Sequence, residues 1–161
     1  MSGRYGILQA MSLVSFPESF TPDIALADSF LRNAAAHLDG ADRAADLDRH
    51  NVALHAIAIA IELLLKSHLL RVATDDRWNR RHIGHDLDKA ARYAERAGLR
   101  LPPQLHSVIA KLHPHFQRGG FQRDSSRLWP SGLSLDARHI ARQLAQALLE
   151  QERRANDSRC S

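Results

Sequence analysis

Residues 58–70 read AIAIELLLKSHLL, an apolar run interrupted by Glu62 and then by Lys66-Ser67-His68. Around it Leu47, Leu54, Ile57, Ile61, Leu64 and Leu65 recur at three- and four-residue spacing, with no Gly or Pro from about Asp42 to Ala73. That period places apolar side chains on one side of an α-helix and predicts the longest, central helix of the protein. The most apolar stretch, Ala56 to Leu65, contains Glu62 and is shorter than a bilayer span requires, so no membrane partner is expected.

Working outward, Thr21-Pro22-Asp23 reads as a helix start, with a capping hydroxyl, proline in the first turn and an acidic residue suited to the dipole. That first helix is expected over Pro22 to Leu38, with Gly40 ending it. Thr74 to Gly84 is polar and reads as a loop. A shorter helix follows from about His85 to Ala97, with Leu87, Ala90, Ala91 and Ala94 on its apolar face and Gly98 as its stop. Pro102-Pro103 opens a fourth helix through Leu105, Ile109 and Leu112, ending near Pro114. Arg118 to Ser134 is a long turn-rich connection. Ser134 is read as the cap of a last helix to about Arg153, buried along Ile140, Leu144, Ala147 and Leu148.

Strand signals are nearly absent, apart from one extended piece near Ser12 to Phe16. The expected class is all-α, an up-and-down bundle of about five helices. Residues 21–154 would form its single domain, 1–20 a partly irregular N-terminal extension and 155–161 a frayed tail. At 161 residues with 44% hydrophobic and 25% charged positions, the chain can build a real core and is not a low-complexity sequence. Its single cysteine, Cys160, closes no disulfide within the chain and excludes cysteine-rich zinc sites. No signal-peptide core occurs in Met1 to Phe20, so the expected location is cytoplasmic.

The net charge is +4, and arginine supplies nearly all the cations, since lysine occurs only at Lys66, Lys89 and Lys111. Arginine's planar fork suits phosphate, although an Arg- and Ala-rich chain also follows from genome composition alone. Within the central helix, Asn51, His55, Glu62 and Lys66 fall within roughly 60° of one another. The plain structural reading is a solvated edge carrying an i,i+4 ion pair. The functional reading is a polar seam, in which a partly buried Glu62 needs Lys66 or His85 as partner and the group binds a ligand or sets a dimer register. At Gly84-His85-Asp86-Leu87, His85 sits at a helix start whose free amides can hold an anion, with Asp86 complementing the dipole.

These two features, AIAIELLLKSHLL and then GHDLDKAARYAERAGL at 84–99, resemble a bacterial version of the HEPN (higher eukaryotes and prokaryotes nucleotide-binding) helical domains. The resemblance spans about Asp46 to Leu101 and rests on the I-E-L-x-x-K core, G-H-D-L, and an alanine-rich helix ending in A-G-L. It implies a bundle of four or five helices, frequent homodimers, and association with RNA, nucleotides, toxin–antitoxin pairs or phage defence. Many catalytic members are metal-independent ribonucleases with an R-x4-6-H motif, commonly R-N-x3-H, near the start of a late helix. Arg32 and His37 have that form but lie on the first helix. Arg80 and His85, Arg49 and His55, and Arg77 and His82 meet only the loose spacing. The late helix offers only adjacent Arg138-His139, a departure that points to a noncatalytic, binding member.

The expected ligand-binding set is therefore Glu62, Lys66, His85 and Asp86, with Arg118, Arg123 and Arg127 as a phosphate-contacting loop. Lys66 and the arginines would hold phosphate, His85 would donate or exchange a proton, and Glu62 would orient one of them. The alternatives are a metal-independent endoribonuclease using Arg32 and His37 or Arg80 and His85, and a protein-interaction module that binds no nucleic acid. No cofactor is expected. No metal is expected either, since no Glu-x-x-His pairs occur and neither His82-x2-His85 nor His113-Pro-His115 has an evident third ligand.

Overall fold

The computed structural model describes residues 13–117, 120–123 and 128–161, and all regular structure among them is helical. Helix α1 spans Ile24–Asp46, α2 His50–Val72, α3 Asp76–His82, α4 Leu87–Arg96, α5 Leu105–Phe116, α6 Gly120–Arg123 and α7 Leu133–Arg159. The chain is thus an all-α bundle, with five helices of ten residues or more among the described residues and two short ones. Helix α2 is central. It packs against α1, α4, α5, α6 and α7, and Leu54, Ile57, Ile61, Leu65, Leu69 and Leu70 are fully enclosed. By length and composition α2 could cross a bilayer, but most of its apolar window is covered by the other helices.

Polar contacts give the helix directions. The Arg71 guanidinium at the end of α2 bridges Asp28 at the start of α1 and Glu152 far along α7. At the opposite end, the Ser134 hydroxyl of α7 lies 3.1 Å from His50 Nδ1 at the start of α2. There Arg138 donates to Asp42 at 2.8 Å, and Arg142 bridges Asp39 and Asp42. So α7 runs parallel to α2 and antiparallel to α1. Burial alone would raise the Asp42 carboxyl, but Arg142 and Arg138 hold it below its ordinary value.

Several boundaries differ from the sequence expectation. Asp23 itself caps α1, its carboxylate accepting from Leu26 N at 3.0 Å. The helix does not stop at Gly40, because Leu38, Ala41 and Ala44 continue its buried face. The predicted helix from Asp42 is instead two helices. The chain breaks at Leu47–Arg49, where Asp48 takes a left-handed φ of 56° and Leu47 is exposed rather than buried.

The predicted loop at 74–84 contains α3, capped by Asp75 accepting from Trp78 N at 2.8 Å. Helix α4 is capped by Asp86, not His85, and after Arg96 and its cap Ala97 the chain turns at Gly98, whose φ of 94° a side chain would oppose. Helix α5 runs through Pro114. The carbonyl that proline leaves unpaired belongs to Ala110, and both residues face solvent. Ser134 does not cap α7, its hydroxyl being engaged by His50, and α7 continues past Arg154 to Arg159 with its last turns exposed.

The extended piece expected near Ser12–Phe16 forms no strand over its described residues. Phe16 instead packs against Trp78 and Tyr93, with ring centroids 5.9 and 5.7 Å apart, and Val14 N donates to the Tyr93 hydroxyl at 2.8 Å.

Candidate functional site

The polar stripe of α2 faces inward. Glu62 and Lys66 have side chains only 9% exposed, and the Lys66 ammonium donates to Glu62 Oε1 at 2.6 Å. The same ammonium donates to the Gly84 carbonyl at 2.5 Å, so it ties α2 to the turn between α3 and α4. Gly84 takes a φ of 57° there, which lets the chain reverse between the Ile83 and Asp86 backbone groups.

The other side of the Glu62 carboxylate meets His85, whose Nδ1 lies 3.0 and 3.1 Å from the two oxygens. An ionised carboxylate only accepts, so Nδ1 carries the proton and Nε2 points away from the pair. The His85 side chain is 75% exposed. One buried carboxylate therefore sets the tautomer and direction of an exposed imidazole, in the way a carboxylate orients a reactive histidine.

Around this pair lies a row of rings. His85 stands edge-on to Phe116 of α5 at 6.0 Å, and His55, two turns before Glu62 on α2, lies 5.9 Å from the same ring. His55 also touches buried Phe121 of α6 at 6.1 Å, and Asn51 Nδ2 donates to the Phe121 carbonyl at 3.4 Å. Burial, followed by the nearby His37 of α1, pushes the His55 imidazole below its ordinary value. Asn51, His55, Glu62 and Lys66 thus form the seam expected from their spacing, with α5, α6 and the α3–α4 turn as its other wall.

The remaining expected residues divide. Asp86 caps α4 by accepting from Lys89 N at 2.9 Å and lies 3.8 Å from His113 Nε2, so it supports the turn that carries His85. Lys66 is buried and committed to Glu62 and Gly84, which makes it a positioning group rather than a phosphate contact. Arg123 is exposed on α6. Arg118 and Arg127 lie outside the described residues.

Of the alternative pairs, Arg32 is exposed and donates to Ser29 Oγ at 3.0 Å. At about 100° per residue it points roughly 140° away from His37 around α1. Arg80 of α3 is exposed and pairs with Asp76 at 2.8 Å, while His85 is held by Glu62.

The sequence reading missed two contributors. Arg77 and Arg81 are exposed on α3, which with Arg80 makes a basic helix leading into the Gly84-His85 turn. The signal for it was Asp75 placed to cap a helix. Phe116, the ring shared by His55 and His85, carried no sequence signal because it lies two residues beyond Pro114. Among the described residues, no group of three or more His, Cys, Asp or Glu side chains is placed to hold a metal ion. Comparison of the chain with protein-family models, with curated proteins and with solved structures finds no match.

Proposed function

We propose that this chain is an HEPN-like helical-bundle protein that binds RNA through the surface around His85, as a noncatalytic member acting in a cytoplasmic toxin–antitoxin or phage-defence setting and forming a homodimer. One observation carries the reading: the buried Glu62–Lys66 pair holds the Gly84-His85 turn and fixes an exposed imidazole with Nε2 outward. A buried ion pair adds little net stability over apolar residues of the same volume, so what it positions accounts for it better than stability does. The exposed arginines 77, 80 and 81 lead into that turn and, with Arg123, supply the charge that a phosphate backbone requires.

The test is a gel with labelled single-stranded RNA over a salt series, with and without EDTA, reading retardation and cleavage together. Four phosphate contacts give a log–log salt slope of about −3, or about a fiftyfold loss of affinity from about 50 to about 200 mM salt. Retardation with that salt dependence and no cleavage is the expected result. No retardation at the lowest salt by the folded protein would overturn the reading, and a stoichiometric co-purifying protein would then favour an interaction module.

The carboxylate–imidazole pair also favours a second reading, a metal-independent endoribonuclease. With Nδ1 held by Glu62, Nε2 is left to transfer a proton. Cleavage that survives EDTA and disappears in His85→Ala would establish it; loss in His37→Ala instead would place the chemistry on α1.

A further inference from the structure

We propose that the groove between α5 and α7 binds a free α-amino acid with an apolar side chain. The groove encloses about 360 Å³, within the lower range of small-molecule sites. Its floor is Val108, Leu133 and Ile140, whose residual exposures of 5%, 6% and 6% contrast with the fully enclosed Leu105, Leu112 and Leu144 beside them. Above that floor stand two opposite charges on different helices, Lys111 of α5 and Asp136 of α7, both exposed.

Neither charge forms an ion pair with the other or with any described residue, unlike Asp88 of α4 and Glu152 of α7, though like exposed Asp46 of α1. Asp136 lies in the first turn of α7. An ammonium and a carboxylate left open over an apolar floor complement a zwitterion. The ligand carboxylate meets Lys111, its ammonium meets Asp136, and its side chain covers Val108, Leu133 and Ile140. A simple carboxylic acid or amine would satisfy half of that set. The groove shares no residue with the seam around His85, so this inference stands or falls apart from RNA binding.

The test is titration calorimetry of the full chain with L-leucine, and with two analogues that each lack one charge, 4-methylpentanoate and isopentylamine. Trp129 adjoins Pro130 on the groove wall, so its fluorescence gives a second readout. Leucine is expected to bind saturably, with each analogue weaker by about tenfold or more. Lys111→Met and Asp136→Asn, both at exposed positions and checked for an unchanged melting temperature, should each weaken leucine by a similar factor. No saturable binding up to about 20 mM leucine, or analogues that bind as well as leucine, would overturn the proposal.

Discussion

Lys66→Met removes the ammonium that serves both Glu62 and the Gly84 carbonyl, at nearly constant side-chain length. Two costs follow. Breaking a buried ion pair by deleting one partner costs about 3–5 kcal/mol, reduced here because Glu62 keeps His85. The Gly84 carbonyl also loses its donor, at about 1–3 kcal/mol if it stays dry. A net loss of about 3 kcal/mol is expected, which for a domain of this size lowers the melting temperature by roughly 6–12 °C.

Urea unfolding and calorimetry at neutral pH measure both quantities. The double variant Glu62→Leu/Lys66→Met should regain the ion-pair part of that loss, because apolar replacement of a whole buried pair is close to neutral, while the Gly84 carbonyl stays without its donor. A cost for Lys66→Met below about 0.5 kcal/mol is the range of an exposed i,i+4 pair and would refute the claim that this pair is a buried strut.

Three further outcomes follow from the packing. His55 is held below its ordinary value of 6.5 by burial and then by His37; His68 is held below it by burial and, secondarily, Arg71, against the hydrogen bond to the Ala97 carbonyl that favours its charged form. The unfolded chain therefore takes up more protons below pH 6.5, so stability present above that value should fall on acidification through the lower folded values, and His55→Gln should flatten the profile in calorimetry at a series of pH values. Gly40→Ala should stabilise by about 0.5–1 kcal/mol, since the added carbon would meet only the Arg43 guanidinium at 3.8 Å, while Gly98→Ala should destabilise by about 1 kcal/mol at its φ of 94°. Phe121→Ala should cost about 3–5 kcal/mol and change Trp129 fluorescence, because the buried Phe121 ring lies 5.3 Å from that indole.

The bundle was legible because apolar spacing survives local variation: Ile57, Ile61, Leu64 and Leu65 are buried as their period requires. Boundaries were less legible, each for a local reason. Nothing in the composition of Leu47-Asp48-Arg49 announces a break, since Asp tolerates a left-handed φ that sequence patterns assign to glycine. Gly40 and Pro114, conversely, look like stops and are not, one having room on a helix that continues to bury its face and the other leaving its lost carbonyl partner to water.

The seam was readable from the spacing of Asn51, His55, Glu62 and Lys66, and so was the need of a buried Glu62 for Lys66 or His85. That Glu62 takes both partners at once, and that Lys66 reaches the Gly84 carbonyl, depends on the α3–α4 turn closing onto α2. No one-dimensional pattern encodes that closure.

The account rests on Glu62 and Lys66 acting through His85 rather than through stability. The Glu62→Leu/Lys66→Met double variant separates the two, because it should remain folded while leaving His85 without its carboxylate. The decisive measurement is fluorescence anisotropy of labelled single-stranded RNA at low salt with this variant and the original chain, after matching their helicity. The account predicts at least about a fivefold loss of affinity for the double variant, about the size expected for losing one charge-assisted contact. Equal affinity from an equally folded variant would contradict it.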